Sequence, residues 1–159
     1  MRGALIGLLA LSVLLPATAE ARGPEGVWGV DQQAWAQRRD DVVRRFVARI
    51  PAPQLAELRQ RGIDVEAQMR TSIDNTFGGA LELRPGGKAI SKEDKGQQRI
   101  VDEGSWVLKG KEVVITFKDA TVRGPLDGER IALKLDPKML KDRESRDIMK
   151  DLVIPMVRR

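Results

Sequence analysis

The side chains that carry most protein chemistry are missing from this sequence. Its 159 residues include no histidine, no cysteine and no tyrosine. Without an imidazole or a thiol there is no Ser-His or Cys-His pair for nucleophilic catalysis. The usual ligands of zinc, copper and haem iron are absent too. Carboxylate, lysine and arginine chemistry remains: two acids flanking a glycosidic bond, or an oxygen cage for Ca²⁺. Two acidic pairs stand in the sheet-forming half, Glu93-Asp94 and Asp102-Glu103. Adjacent strand residues point to opposite faces, so neither pair converges on one site. Both read as charges that keep hairpin edges soluble. The expectation is a protein that is not an enzyme and holds neither metal nor cofactor.

The arginines offer binding chemistry instead. Arg39 falls inside an apolar helical face, between Trp35, Val43 and Phe46. A charge placed there needs a partner. The options are a carboxylate, a backbone carbonyl, the Trp35 ring one turn back, or the anionic head of a bound molecule. The favoured reading stacks Arg39 on Trp35 and lets it reach water near the helix start. Arg38, Arg45 and Arg49 form a stripe beside this face. It reads as a solvated surface, with docking on anionic lipid or polysaccharide as the alternative.

The periodicity supplies the elements that position these residues. Val27–Asp31 is a short β-rich run. From Gln32 to Ile50, Trp35, Val42, Val43, Phe46, Val47 and Ile50 recur at helical spacing behind an Asp31 cap. Pro51-Ala52-Pro53 ends that helix and starts a second, which Gly62 ends; Asp64 caps a third that runs to about Asn75. The period then becomes two. Leu81 and Leu83 alternate with Glu82 and Arg84, and Pro85-Gly86-Gly87 makes a turn. Strands follow over KAISK, Gln98–Leu108 and EVVITF, where Val113, Ile115 and Phe117 share a face. Gly124-Pro125 and Asp127-Gly128 read as the next turn before Ile131–Leu135. Asp136-Pro137 opens a charged helix to about Leu152, followed by the apolar tail VIPMVRR.

Residues 1–19 read as a cleavable export signal. Arg2 supplies the positive end, Ala4–Leu15 is apolar, and Ala17-Thr18-Ala19 offers a small-x-small cleavage site. The apolar run is short for a membrane span, which needs about 20 residues, so no membrane span is expected. Without those residues the chain holds 27 basic and 23 acidic side chains, a net +4. That excess is too slight for a nucleic-acid binder. With no cysteine in an exported chain, the core must hold by burial without a disulfide.

Two G-x-W motifs stand in this frame: Gly26-Val27-Trp28, opening the first strand, and Gly104-Ser105-Trp106, just before the Lys109-Gly110-Lys111 turn. With "LELRPGGKA", "EGSWVLKGKEVVITF" and "GERIALKLD" in that order, the stretch 26–135 resembles the small lipocalin-like, calycin-type exported domains of bacteria. The resemblance implies that Trp28 and Trp106 are structural and that a cation from the last strand, Arg130 or Lys134, covers a tryptophan. It also implies an apolar interior. The expected fold is α+β: about six antiparallel strands in a curved partial barrel, two or three helices after the first strand, and a C-terminal helix and tail over 136–159. The expected function is to bind a small apolar or amphipathic ligand in the periplasm or outside the cell. Trp35, Arg39, Phe46, Leu81, Leu83, Val113, Ile115 and Phe117 are the candidate ligand contacts. The alternative is a filled core whose helical face meets an envelope protein partner.

Overall fold

The computed structural model describes residues 23–93 and 100–159. The expected leader, 1–19, and Asp94 of the Glu93-Asp94 pair lie outside the described residues. The fold is α+β, with eight antiparallel strands closed into one barrel and each strand paired to its neighbours in sequence. The strands are β1 (Gly26–Val30), β2 (Ala80–Arg84), β3 (Lys88–Lys92), β4 (Ile100–Lys109), β5 (Glu112–Thr116), β6 (Thr121–Asp127), β7 (Arg130–Leu135) and β8 (Val153–Arg158). Three helices separate β1 from β2: α1 (Gln32–Val47), α2 (Ala52–Gln60) and α3 (Val65–Phe77). A 3₁₀ turn (Pro137–Met139) and α4 (Arg143–Met149) separate β7 from β8.

The helices begin where their caps stand. The Asp31 carboxylate accepts from the Ala34 N–H, and the Asp64 carboxylate accepts from the Ala67 N–H; such caps stabilise a helix by about 1 kcal/mol each. Helix α1 buries Trp35, Val42 and Val43 and packs on α3, α4 and β8.

The barrel closes where about six strands in an open sheet are expected. The two extra strands are β6 and β8, and each contains a proline that reads locally as a break. In β6, Gly124-Pro125 continues the strand and only Asp127-Gly128 turns the chain. The β6–β7 pairing lapses between Arg123↔Lys134 and Leu126↔Ile131, next to the donor that Pro125 lacks. In β8, Pro155 pairs beside Ala132 of β7, and its carbonyl accepts from the Asp31 N–H at 2.8 Å. A reciprocal N–H from residue 155 would aim at the Asp31 carbonyl, which already accepts from Trp35 N–H in the first turn of α1. The missing donor therefore falls where the sheet gives way to a helix, and proline is tolerated. Residues 153–158 are thus the closing strand rather than a tail. The long charged helix expected from Asp136 reduces to the 3₁₀ turn and α4.

The two ends of the barrel differ. At one end lie the tight turns β2–β3, β4–β5 and β6–β7; at the other lie the helices, the β5–β6 turn and the β7–β8 connection. The tight-turn end is packed shut. Trp28 is fully buried, its indole N–H donates to Pro24 O at 2.8 Å, and Arg158 lies 4.5 Å over its ring. Arg158 also donates to the Gly23 and Glu25 carbonyls and pairs with Glu129. Arg130 does not cover Trp28: its side chain is 73% exposed and stands 3.6 Å from Asp31. The reason is topological. The last strand is β8, and its cation is Arg158. Gly26, at φ +135°, lets that guanidinium pass, since a Cβ there would stand 2.7 Å from Arg158 Nη1. Trp106 fills the neighbouring space, with its indole N–H donating to Arg84 O at 2.9 Å. Buried Leu83, Ala89, Val113, Ile115 and Ile131 complete this core, each large side chain contributing about 1.5–3 kcal/mol.

Candidate functional site

The other end of the barrel holds a cavity of about 580 Å³, open toward α1 and α3. That size falls within the range of about 300–1,000 Å³ common to small-molecule sites. Strand register explains why space is left here. Paired residues share a face, so Leu81, Ser91 and Asp102 point inward side by side across β2, β3 and β4. Small or short side chains thus occupy one wall where the opposite wall carries Leu133, Ile154 and Met156. Nearby, Gly104 permits close approach of β5. A Cβ there would stand 2.2 Å from the Thr116 carbonyl oxygen and 2.8 Å from the Phe117 ring. Phe117 therefore settles against Gly104 and walls the cavity.

Helices roof the opening. Trp35 of α1 and Phe77 at the end of α3 meet edge to face, with centroids 6.2 Å apart. Asp74 locks this roof. Its Oδ1 accepts from the Trp35 indole N–H at 2.8 Å and its Oδ2 accepts from Arg39 Nη1 at 2.8 Å. Arg39 also pairs with Asp40, which is shared with Arg70. Partial burial of Arg39 opposes its charge, but the hydrogen bonds it donates to Asp74 and Asp40 outweigh this and raise its pKa further. The partner of Arg39 is thus a carboxylate, not the Trp35 ring, because α3 crosses α1 at that level.

Among the described residues, the remaining rim is mostly acidic. Asp102, Asp119 and Glu93 line the opening, and Lys92 is the only basic residue lining it among the described residues. Lys92 turns outward to Glu82 at 2.5 Å. Glu82 bonds Arg84 as well at 2.7 Å, and these two cations hold its carboxyl at a pKa of about 2.

The structure divides the expected contact residues. Trp35, Leu81 and Phe117 line the cavity. Leu83, Val113 and Ile115 point inward but lie in the filled layer below it, almost wholly buried. Phe46 faces a separate groove between the helices, with Ile50, Leu58 and Met69. Arg39 stands behind Asp74 rather than in the cavity. Asp102, expected as a solubility charge, lies on the inner wall. Counting back in twos from the inward Trp106 through Gly104 would have placed it there. Asp74 carries no comparable signal, since its role depends on how α3 meets α1. The arginine stripe is partly neutralised: Arg45 pairs with Asp151 at 3.1 Å, and Arg49 stands 3.9 Å from Glu144. Among the described residues no acidic cluster could hold a metal ion, and no helix is long and apolar enough to cross a membrane.

No protein family, curated protein or solved structure matches this chain. The closed antiparallel barrel with helices is compatible with a lipocalin-like fold.

Proposed function

We propose that this is an exported, non-enzymatic, lipocalin-like binding protein that carries a small apolar or amphipathic molecule in the mouth of its barrel. The observation that carries this reading is the asymmetry of the barrel. One end is plugged by Trp28, Trp106 and Arg158, while the other keeps a cavity of about 580 Å³ with an apolar floor and a polar rim. A filled barrel serving only as a scaffold would have no reason to leave that floor uncovered. The lack of His and Cys supports the non-enzymatic part, because the common nucleophile–base pairs are unavailable.

Native mass spectrometry of protein isolated from its own cell envelope tests the reading. The expected result is a retained small molecule that decanol or decanoate displaces. A protein that comes away bare and leaves added apolar probes unbound would overturn it. Co-isolation with a stoichiometric protein partner instead would favour the second reading, in which the helical groove of Phe46, Ile50, Leu58 and Met69 is the working surface.

A further inference from the structure

We infer that the ligand is a cation: an amphipathic amine whose apolar body enters the barrel and whose ammonium group sits at Asp102. The inference rests on the binding reading above and adds the chemistry of the ligand's head. Three observations carry it. First, Asp102 is the one ionisable side chain that the described strands turn inward at the level of the cavity; the other inward charge, Arg158, lies at the plugged end. Second, Asp102 has no cationic partner among the described residues. Its only hydrogen bond there runs along its own strand, from the Glu103 N–H at 2.9 Å. Its neighbours across β3 and β2 are Ser91 and then Leu81, so on that side the carboxylate stands beside a hydroxyl and an apolar side chain of the cavity wall. A carboxylate beside low-dielectric walls attracts a cation more strongly than one in open water.

Third, among the described residues, the cations nearest the mouth are committed elsewhere. Arg39 holds Asp74 and Asp40 and does not line the cavity, and Lys92 holds Glu82 on the outer face. A fatty acid entering head-out would bring its carboxylate among Asp102, Asp119 and Glu93. An alkylammonium would instead find acceptors on that rim. The chain as a whole is basic, so charge attraction without a specific site would favour the acid. The two explanations therefore predict opposite orders of affinity.

A matched decyl series separates them. Decylammonium, decanol and decanoate are titrated into the full mature protein below their micelle concentrations, by calorimetry and by Trp fluorescence. Decylammonium is expected to bind at least about tenfold more tightly than decanoate, the worth of one charge-assisted hydrogen bond. Asp102→Asn should shrink that preference to about threefold or less while leaving decanol affinity unchanged. Should the variant fail to fold, the order of the three ligands on the wild-type protein still decides. Equal or tighter binding of decanoate overturns the inference, as does a preference that survives in a folded Asp102→Asn. If decanol binds and the head groups make no difference, the cavity reading stands and the cation inference falls. If none of the three binds, both fall.

Discussion

Replacing Asp74 tests the roof of the barrel directly. Its two oxygens serve different donors: the indole N–H of a fully buried Trp35 and the guanidinium of Arg39, whose side chain is 21% exposed. Asp74→Ala removes both acceptors. The indole N–H of the buried Trp35 loses its acceptor, which costs about 1–3 kcal/mol. Arg39 keeps Asp40 and some solvent, and Asp74 itself is 39% exposed, so loss of the ion pair adds only about 0–1 kcal/mol. The expected destabilisation is therefore about 1–4 kcal/mol. Asp74→Asn keeps an amide oxygen for the indole and should cost about 1 kcal/mol or less. Arg39→Met should also cost about 1 kcal/mol, since the carboxylate it leaves can be hydrated. Urea melts of the three variants give the order, and a double-mutant cycle between Arg39 and Asp74 gives the coupling. The reasoning is refuted if Asp74→Asn is as costly as Asp74→Ala, or if Arg39→Met is the most costly of the three. Either result would mean that the ion pair, and not the indole acceptor, holds the roof.

Three further outcomes are expected. Glu82 titrates near pH 2 in the folded chain against an ordinary value of 4.5, so its contribution is complete above about pH 4.5 and fades as the pH falls toward 2. Between those limits wild type should lose about 1–2 kcal/mol that Glu82→Gln does not lose, read from urea melts across that range; parallel curves would count against the Arg84–Glu82–Lys92 cluster as an acid-sensitive tie. Gly104→Ala forces a methyl group toward the Thr116 carbonyl and the Phe117 ring and should cost about 1–3 kcal/mol while narrowing the cavity, so an unchanged melting midpoint would contradict the close approach of β4 and β5. The exported protein should have an intact mass that starts at Glu20 or Arg22, and a mature chain that still begins at Met1 would sink the export reading.

The local signals in the sequence are sound wherever a few neighbouring residues decide the outcome. Asp31 and Asp64 cap helices because a side-chain oxygen needs only the next three backbone N–H groups. The inward set Leu81, Leu83, Val113 and Ile115 follows from alternation alone. Alternation cannot say how deep in the barrel each residue lies, and so it joins residues of the filled layer to residues of the cavity wall. The helical period likewise places Phe46 and Trp35 on one apolar face, although Trp35 reaches the barrel mouth and Phe46 a groove among helices.

By itself the sequence determined the absence of imidazole and thiol chemistry, the helical insertion after the first strand, the alternating strands and the two G-x-W anchors. Each of these is composition or a pattern spanning a few residues. Only the tertiary structure decided that the barrel closes, because closure pairs Trp28 with Arg158 across almost the whole described chain. The same long-range pairing makes Arg158 the cover of Trp28 and lets Pro155 sit where a helix has already claimed its would-be acceptor. The packing of α3 on α1 likewise lets Asp74 take the Arg39 charge, so that the described residues of the mouth are mostly acidic. A proline's missing donor or an arginine's charge is a local property, but its consequence depends on which distant group stands opposite, and that is settled only when the sheet comes round on itself.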